Sequence, residues 1–418
     1  MKFKYDLVKE EMHVVKLDNG LELIIVPKPD YHKVYSLFAT NYGSIDSEFV
    51  LDGERVKVPD GIAHFLEHKL FEKEDGDVFI KLSELGIDSN AYTSFDVTAY
   101  LAETTREMYQ TALNVLLDFV QDPYFTDESV EREKGIIAQE IEMYNDDANW
   151  QTYFGLLRAL YNNHPIATDV AGDVASINEI TAADLHLCYN SFYHPSNMRL
   201  FVIGAVSVDD VVELVTNNQA HKTFPNPGAV GKLSPIGDVI EESLVEMQLN
   251  VGKFACGVRG FDLDALTPRE LYVKQRTWSI AFEMLLGETS SVYSDLYARQ
   301  LIDDSYSVEA TRIRKDLYAA VLGDSNAAPE VLAVLKRAIQ NSATSPDLNE
   351  AHLGTLKKAK IGAFLKRLNN LSSTIGAIAE NNLDYFETIE IISAITLDSV
   401  RAELTNLAAG PIAVVEVK

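Results

Sequence analysis

The order of periodicities along this 418-residue chain predicts an α+β fold in two halves, each an antiparallel sheet covered by helices. Three observations carry that expectation. Alternating apolar runs flank a helical segment, Gly61 to Glu72, whose polar and apolar residues part onto opposite faces. The densest breaker cluster in the chain, Pro225, Pro227, Gly228, Gly231, Pro235 and Gly237, divides it near the middle, giving halves 1–218 and 238–418 joined by a linker 219–237. On each side of that cluster strands come first, helices and a strand pair follow, and a strand comes late, an order that points to an old duplication.

In chain order, His13 to Leu17, Leu21 to Val26 and Val34 to Thr40 read as strands, the first two closed by the Asn19-Gly20 hairpin pair. Asp77 to Leu85 reads as a short helix stopped by Gly86. Asn90 to Glu103 reads as two strands joined near Asp96, and Glu107 to Val120 as an amphipathic helix. Asp127 to Tyr144 is helical, opening after the capping candidates Thr126 and Asp127. More helices lead to the strand Arg199 to Gly204. Beyond the linker come strands in Leu244 to Val251, helix in Arg269 to Leu286, a strand pair in Ser305 to Gly323, further helices, and a last strand Ile412 to Lys418.

Charge excludes two function classes. With 36 basic against 63 acidic residues, the net charge of −27 disfavours a nucleic-acid backbone or an anionic membrane surface as partner and favours basic or neutral peptides. The first residues lack an apolar signal core and no run of apolar residues is long enough to span a bilayer, so the expected compartment is the cytoplasm. Cys188 and Cys256 stand alone in sequence, as small core residues do, and build neither a disulfide framework nor a cysteine metal knuckle.

The chemistry concentrates in His64-Phe65-Leu66-Glu67-His68. On a helix, residues three and four apart share a face, so both imidazoles and the Glu67 carboxylate form one stripe while Ile62, Phe65, Leu66 and Leu70 take the opposite arc. H-x-x-E-H is the inverted form of the H-E-x-x-H zinc helix. A catalytic zinc takes a third protein ligand, which a second helix should supply. On Asp127 to Tyr144, Glu133 and Glu140 lie seven apart on one face, and Glu140 stands out among Ile136, Ile137 and Ile141.

Gly61 to His68, Asn90-Ala91-Tyr92-Thr93-Ser94, and Glu133 and Glu140 ahead of Asp146-Asp147 closely resemble the pitrilysin/insulinase family of zinc metallopeptidases. The likeness continues through His164-Pro165-Ile166, Gly172, Ile180-Thr181, Tyr193-His194-Pro195 and Asn197-Met198, and covers most of residues 10–210. The flank Lys69 to Asp77 resembles a bacterial short-chain subgroup often labelled as associated with elongation factor P modification, a label that names no substrate.

The resemblance implies a Zn2+-dependent endopeptidase with ligands His64, His68 and Glu140, with Glu67 as general base and with Glu133 orienting a ligand histidine. It implies that Asn90 and Ala91 take an extended peptide as an added strand. It also implies a clamshell whose second half lacks a metal, closed into a chamber for flexible peptides by a homodimeric or heterodimeric partner. The alternatives are a processing-peptidase subunit active only beside a degenerate partner, or a non-catalytic scaffold subunit; a full set of ligands and base weighs against the scaffold. In the second half, Gly287 to Tyr297 and Ser305-Tyr306 resemble the stretch that the family's substrate-holding arginine and tyrosine follow; with a two-residue offset from Leu296 the resemblance makes Tyr306 the candidate substrate contact and Arg299 its companion, core or surface placement being the alternative for both.

Overall fold

The computed structural model describes residues 1–232, 237–261 and 263–418. The chain forms two compact units, the first from Met1–Ile141, Thr168–Ser234 and Arg367–Asn382, the second from Glu142–Ala167, Pro235–Lys366 and Leu383–Lys418.

The first unit is built on seven strands: β1 (Lys2–Tyr5), β2 (Glu10–Lys16), β3 (Glu22–Pro27), β4 (Lys33–Thr40), β9 (Asp88–Thr93), β10 (Thr98–Thr105) and β11 (Met198–Gly204), ordered β1-β2-β3-β11-β4-β10-β9. Every pair is antiparallel except β3 with β11. Leu200, Phe201, Val202 and Ile203 are apolar on both faces and buried, which suits β11 to the sheet's interior rather than its rim. The helices of this unit are α1 (Ile62–Phe71), α2 (Val78–Glu84), α3 (Tyr109–Val120), the body of α4 (Asp127–Asp146), α6 (Val174–Glu179), α7 (Ala182–Phe192), α8 (Val208–Ala220) and α13 (Leu371–Asn381). Two smaller ladders complete it, β12 (Val230–Lys232) with β5 (Glu48–Leu51) and β6 (Glu54–Lys57), and β7 (Glu72–Lys73) with β8 (Gly76–Asp77).

The second unit holds five strands, β13 (Glu242–Val245), β14 (Lys253–Arg259), β15 (Ser307–Ile313), β16 (Asp316–Asp324) and β17 (Ala413–Val417), ordered β13-β17-β14-β16-β15. Only β13 with β17 is parallel. Order and pairing senses therefore repeat β3-β11-β4-β10-β9 of the first sheet strand for strand, which is how the duplication shows itself in the fold. Its helices are α5 (Ala148–Leu160), α9 (Pro268–Leu286), α10 (Ser291–Ala298), α11 (Ala328–Gln340), α12 (Glu350–Arg367), α14 (Thr388–Ala394) and α15 (Leu397–Ala408).

Three expectations need correction. The simple division at 219–237 overlooks an exchange, since residues 142–167 pack with the second unit and residues 367–382 with the first. Packing explains both moves: Gly155 of α5 and Gly257 of β14 let helix and sheet approach until an added Cβ would stand 3.1 Å from Val245 or Leu156, and α13 buries Ile375 and Ile378. The linker is not bare loop, because β12 pairs with β5; residues 233–236 of it lie outside the described residues. The strand read in Leu244 to Val251 ends at Val245, whereas the central β14 was not expected, its Ala255-Cys256-Gly257 run being too small and flexible to announce a strand. Among the described residues no helix is long and apolar enough to cross a membrane.

Candidate metal centre

Helix α1 starts at Gly61, whose φ of 86° suits glycine and whose missing Cβ leaves room for the Ala171 carbonyl oxygen, which a side chain would meet at 2.3 Å. Ile62, Phe65, Leu66 and Leu70 are buried to within 1% and press the helix onto the core. His64, Glu67 and His68 are thereby turned to the other side, as the spacing predicts. One polar neighbour departs from that pattern: Lys69 is wholly buried, its ammonium bonded to the Glu72 carboxylate and the Ser129 carbonyl.

Helix α4 brings the carboxylates. Ile137 and Ile141 seat it in the core, with Glu133 buried beside them; Ile136 is 52% exposed and does not share that role. His64 Nε2 lies 3.7 Å from one Glu140 oxygen and His68 Nε2 lies 3.7 Å from the other. The donor atoms of these three residues all fall within 4.8 Å of one another, the one such histidine, cysteine and carboxylate group among the described residues. His68 Nδ1 is held by Glu133 Oε1 at 3.0 Å. Glu67, 8% exposed, accepts a hydrogen bond on Oε2 from the Thr93 hydroxyl at 2.8 Å.

Burial sets the protonation states. Desolvation, with the His68 charge added, pushes the His64 pKa down to about 3, so this imidazole stays neutral and able to donate a lone pair. Burial also works to lower His68, but the hydrogen bond to Glu133 and the charges of Glu67, Glu133 and Glu140 outweigh it and the net direction is up. Desolvation raises Glu67 above the usual carboxylate value, against the pull of the Thr93 bond and the His68 charge.

The residues fit zinc. Two 3.7 Å separations are too long for hydrogen bonds. They are close to the spacing of about 3.3–3.6 Å that tetrahedral geometry gives ligand atoms each about 2.0–2.2 Å from the ion. The Glu133 contact fixes which His68 nitrogen faces inward.

Strand β9 forms the edge of its sheet, paired among the described residues on one side only, by β10. Asn90 is exposed there, and its side chain accepts a hydrogen bond from the Ala91 N–H at 2.9 Å. Thr93 is a site residue that the sequence motif does not announce, although period-two alternation puts it on the face of Ala91. Tyr306 is 6% exposed in the second unit's core, and its hydroxyl donates to the Leu286 carbonyl at 2.8 Å. Its packing, against Phe254 and Tyr293, explains the residue without a substrate. Arg299 is a surface residue paired with Asp295 and Glu330. Cys188 and Cys256 are buried free thiols, each pushed up to about 12 by desolvation.

Two family models match the chain, Insulinase (Peptidase family M16) over residues 53–174 and Peptidase M16 inactive domain over residues 179–360. A Bacillus subtilis (strain 168) protein named uncharacterized zinc protease YmfH is 38% identical over 416 residues, spanning 95% of this chain and 94% of that protein. The uncharacterized zinc protease Rv2782c of Mycobacterium tuberculosis is 25% identical over 83% of this chain and 81% of its own length. Among solved structures, one described as an M16-like peptidase from Alicyclobacillus acidocaldarius superposes with a TM-score of 0.91 at 32% identity, covering 98% of both chains. A Helicobacter pylori protease shares the fold at a TM-score of 0.82 and 18% identity, over 98% of this chain and all of that one.

Proposed function

Because the chain belongs to the insulinase family of peptidases, family M16, we propose that it is a zinc-dependent endopeptidase acting on flexible peptides. The observation that carries the reading is the convergence of His64, His68 and Glu140 from two helices, with Glu67 beside them. His64 Nε2, His68 Nε2 and the Glu140 carboxylate would hold the ion. When bound, zinc supplies an acidified water and a Lewis-acid grip on the scissile carbonyl. Glu67 takes the proton from the attacking water and returns it to the leaving amine nitrogen. Glu133 keeps the His68 ring turned for its task. The open edge of β9 offers its backbone to an extended peptide, for which Asn90 would release the Ala91 N–H.

The second unit, matched over much of its length by a domain described as inactive, would bind rather than cut. The proposed setting is the cytoplasm, which two buried, unpaired thiols suit, and the acidic balance favours basic peptides. Metal analysis of the purified chain and a peptide-library digest test the reading together. Replacing His64, His68 or Glu140 by alanine should strip zinc, whereas Glu67→Gln should keep zinc and lower turnover by about 100–10,000-fold. Undiminished turnover by Glu67→Gln would refute the assignment.

A further inference from the structure

We propose that Thr93 is a positioning residue for the proton-transferring carboxylate, so that the strand which docks the peptide also aims the base; the inference rests on the peptidase reading above. A glutamate's terminal torsion is broad, and helix geometry alone leaves the plane of the Glu67 carboxylate unset. The Thr93 hydroxyl sets it through the 2.8 Å bond to Oε2. Oε1 makes no hydrogen bond among the described residues and is the oxygen left to carry the proton.

Thr93 is itself well placed to act as a fixed post. It is the last residue of β9, opposite Thr98 at the end of the ladder. Immediately beyond it Ser94 N–H donates to Val97 at 2.8 Å, and the Ser94 carbonyl accepts from Ser44 at 3.0 Å. Across the ladder, the buried Thr98 hydroxyl donates to the Tyr42 carbonyl at 3.0 Å.

The same strand meets the peptide. Ala91 N–H donates to the Asn90 side chain rather than to β10. In an antiparallel pair, outward-facing backbone groups recur at every second residue, so they fall on Ser89, Ala91 and Thr93. A peptide added at this edge therefore pairs with the backbone of the residue whose side chain holds Glu67. Docking stiffens Thr93, and Thr93 holds the base still; binding energy gained along the strand is converted into orientation at the reacting atoms.

Thr93→Val keeps the β-branched shape and removes the hydroxyl; Thr93→Ser keeps the hydroxyl. Both are made in the full-length zinc-loaded chain and assayed on a flexible fluorogenic peptide beside wild type. The expected result for Thr93→Val is a kcat lower by about 10–100-fold, with KM, zinc content and melting temperature unchanged, and recovery of most of kcat in Thr93→Ser. As a readout without turnover, the Kd of the same peptide for Glu67→Gln should be unaltered by adding Thr93→Val. The inference is overturned by a wild-type kcat in Thr93→Val, by Thr93→Ser failing as badly as Thr93→Val, or by losses of zinc or peptide affinity that account for the drop. A zinc-loaded wild type without turnover removes the peptidase reading and this inference with it, an outcome distinct from the other three.

Discussion

The two histidines of one helix turn sit in different electrostatic surroundings. His64 is held neutral by burial, its pKa pushed to about 3, while His68 is raised by Glu133 and the neighbouring carboxylates. Protonation of His68 is then what competes with a metal, since a protonated imidazole has no lone pair to give. Zinc affinity should fall as pH drops through the raised His68 value, beginning above the ordinary histidine range near 6.5. Glu133→Gln removes the largest cause of the upward shift, so it should move that onset to lower pH while weakening the plateau affinity by about 10–100-fold. Titration against a chromophoric chelator between about pH 5 and 8 reads both effects; an unchanged onset in the variant would remove Glu133 from the role.

At the scale of the element, the start of α1 is the point where backbone and chemistry meet. A side chain at Gly61 would have to adopt φ 86° and would meet the Ala171 carbonyl at 2.3 Å. Gly61→Ala should cost about 1–3 kcal/mol of stability and reduce zinc content, because any shift of the helix start turns His64 away from Glu140. Urea unfolding and metal analysis check the pair; full zinc with unchanged stability would show that the helix start tolerates displacement. The sequence announced this helix through its spacing, and announced α4 through its isoleucines. It was silent on β14, where Gly257 is selected by the closeness of Leu156 and Leu160 of α5, a contact between residues about a hundred positions apart.

At the scale of the molecule, His164 and Asp316 contribute opposite terms to the pH dependence of stability. His164, 7% exposed, accepts the Ile166 N–H on Nδ1 and lies 3.9 Å from Asp316. Burial, then Arg259 and Arg314, lower its pKa to about 4. The unfolded chain therefore binds a proton that the folded chain refuses, and stability is lost as pH falls from 6.5 towards 4, by up to about 3 kcal/mol. Asp316 runs the other way: burial raises it to about 6, so its contribution is present at low pH and is lost as pH rises through about 6. His164→Asn should flatten the acid limb of the stability curve, and Asp316→Asn should steepen it. Denaturant unfolding at several pH values measures both; identical limbs in wild type and His164→Asn would assign the acid loss to other groups. Assembly belongs to this scale too. We propose a dimer, homo- or heteromeric, that admits peptides and spares folded proteins, and sedimentation paired with digestion of one peptide and one native protein tests it. A monomer that degrades native proteins would overturn it.

Local periodicity alone placed His64, Glu67 and His68 on one face, marked Glu133 and Glu140 as a pair on a second helix, and ordered strands and helices into two similar halves. Those are properties of residues within two turns or a few strand positions of each other, which the chain's own geometry fixes. Only the tertiary structure decided that Glu140 faces both imidazoles, that Thr93 holds Glu67, that Tyr306 is spent on the core, and that α5 and α13 change units. Each of these depends on which surfaces pack closest, and close packing is settled by glycine gaps and buried apolar faces on segments far apart in the chain, where no local pattern records the partner.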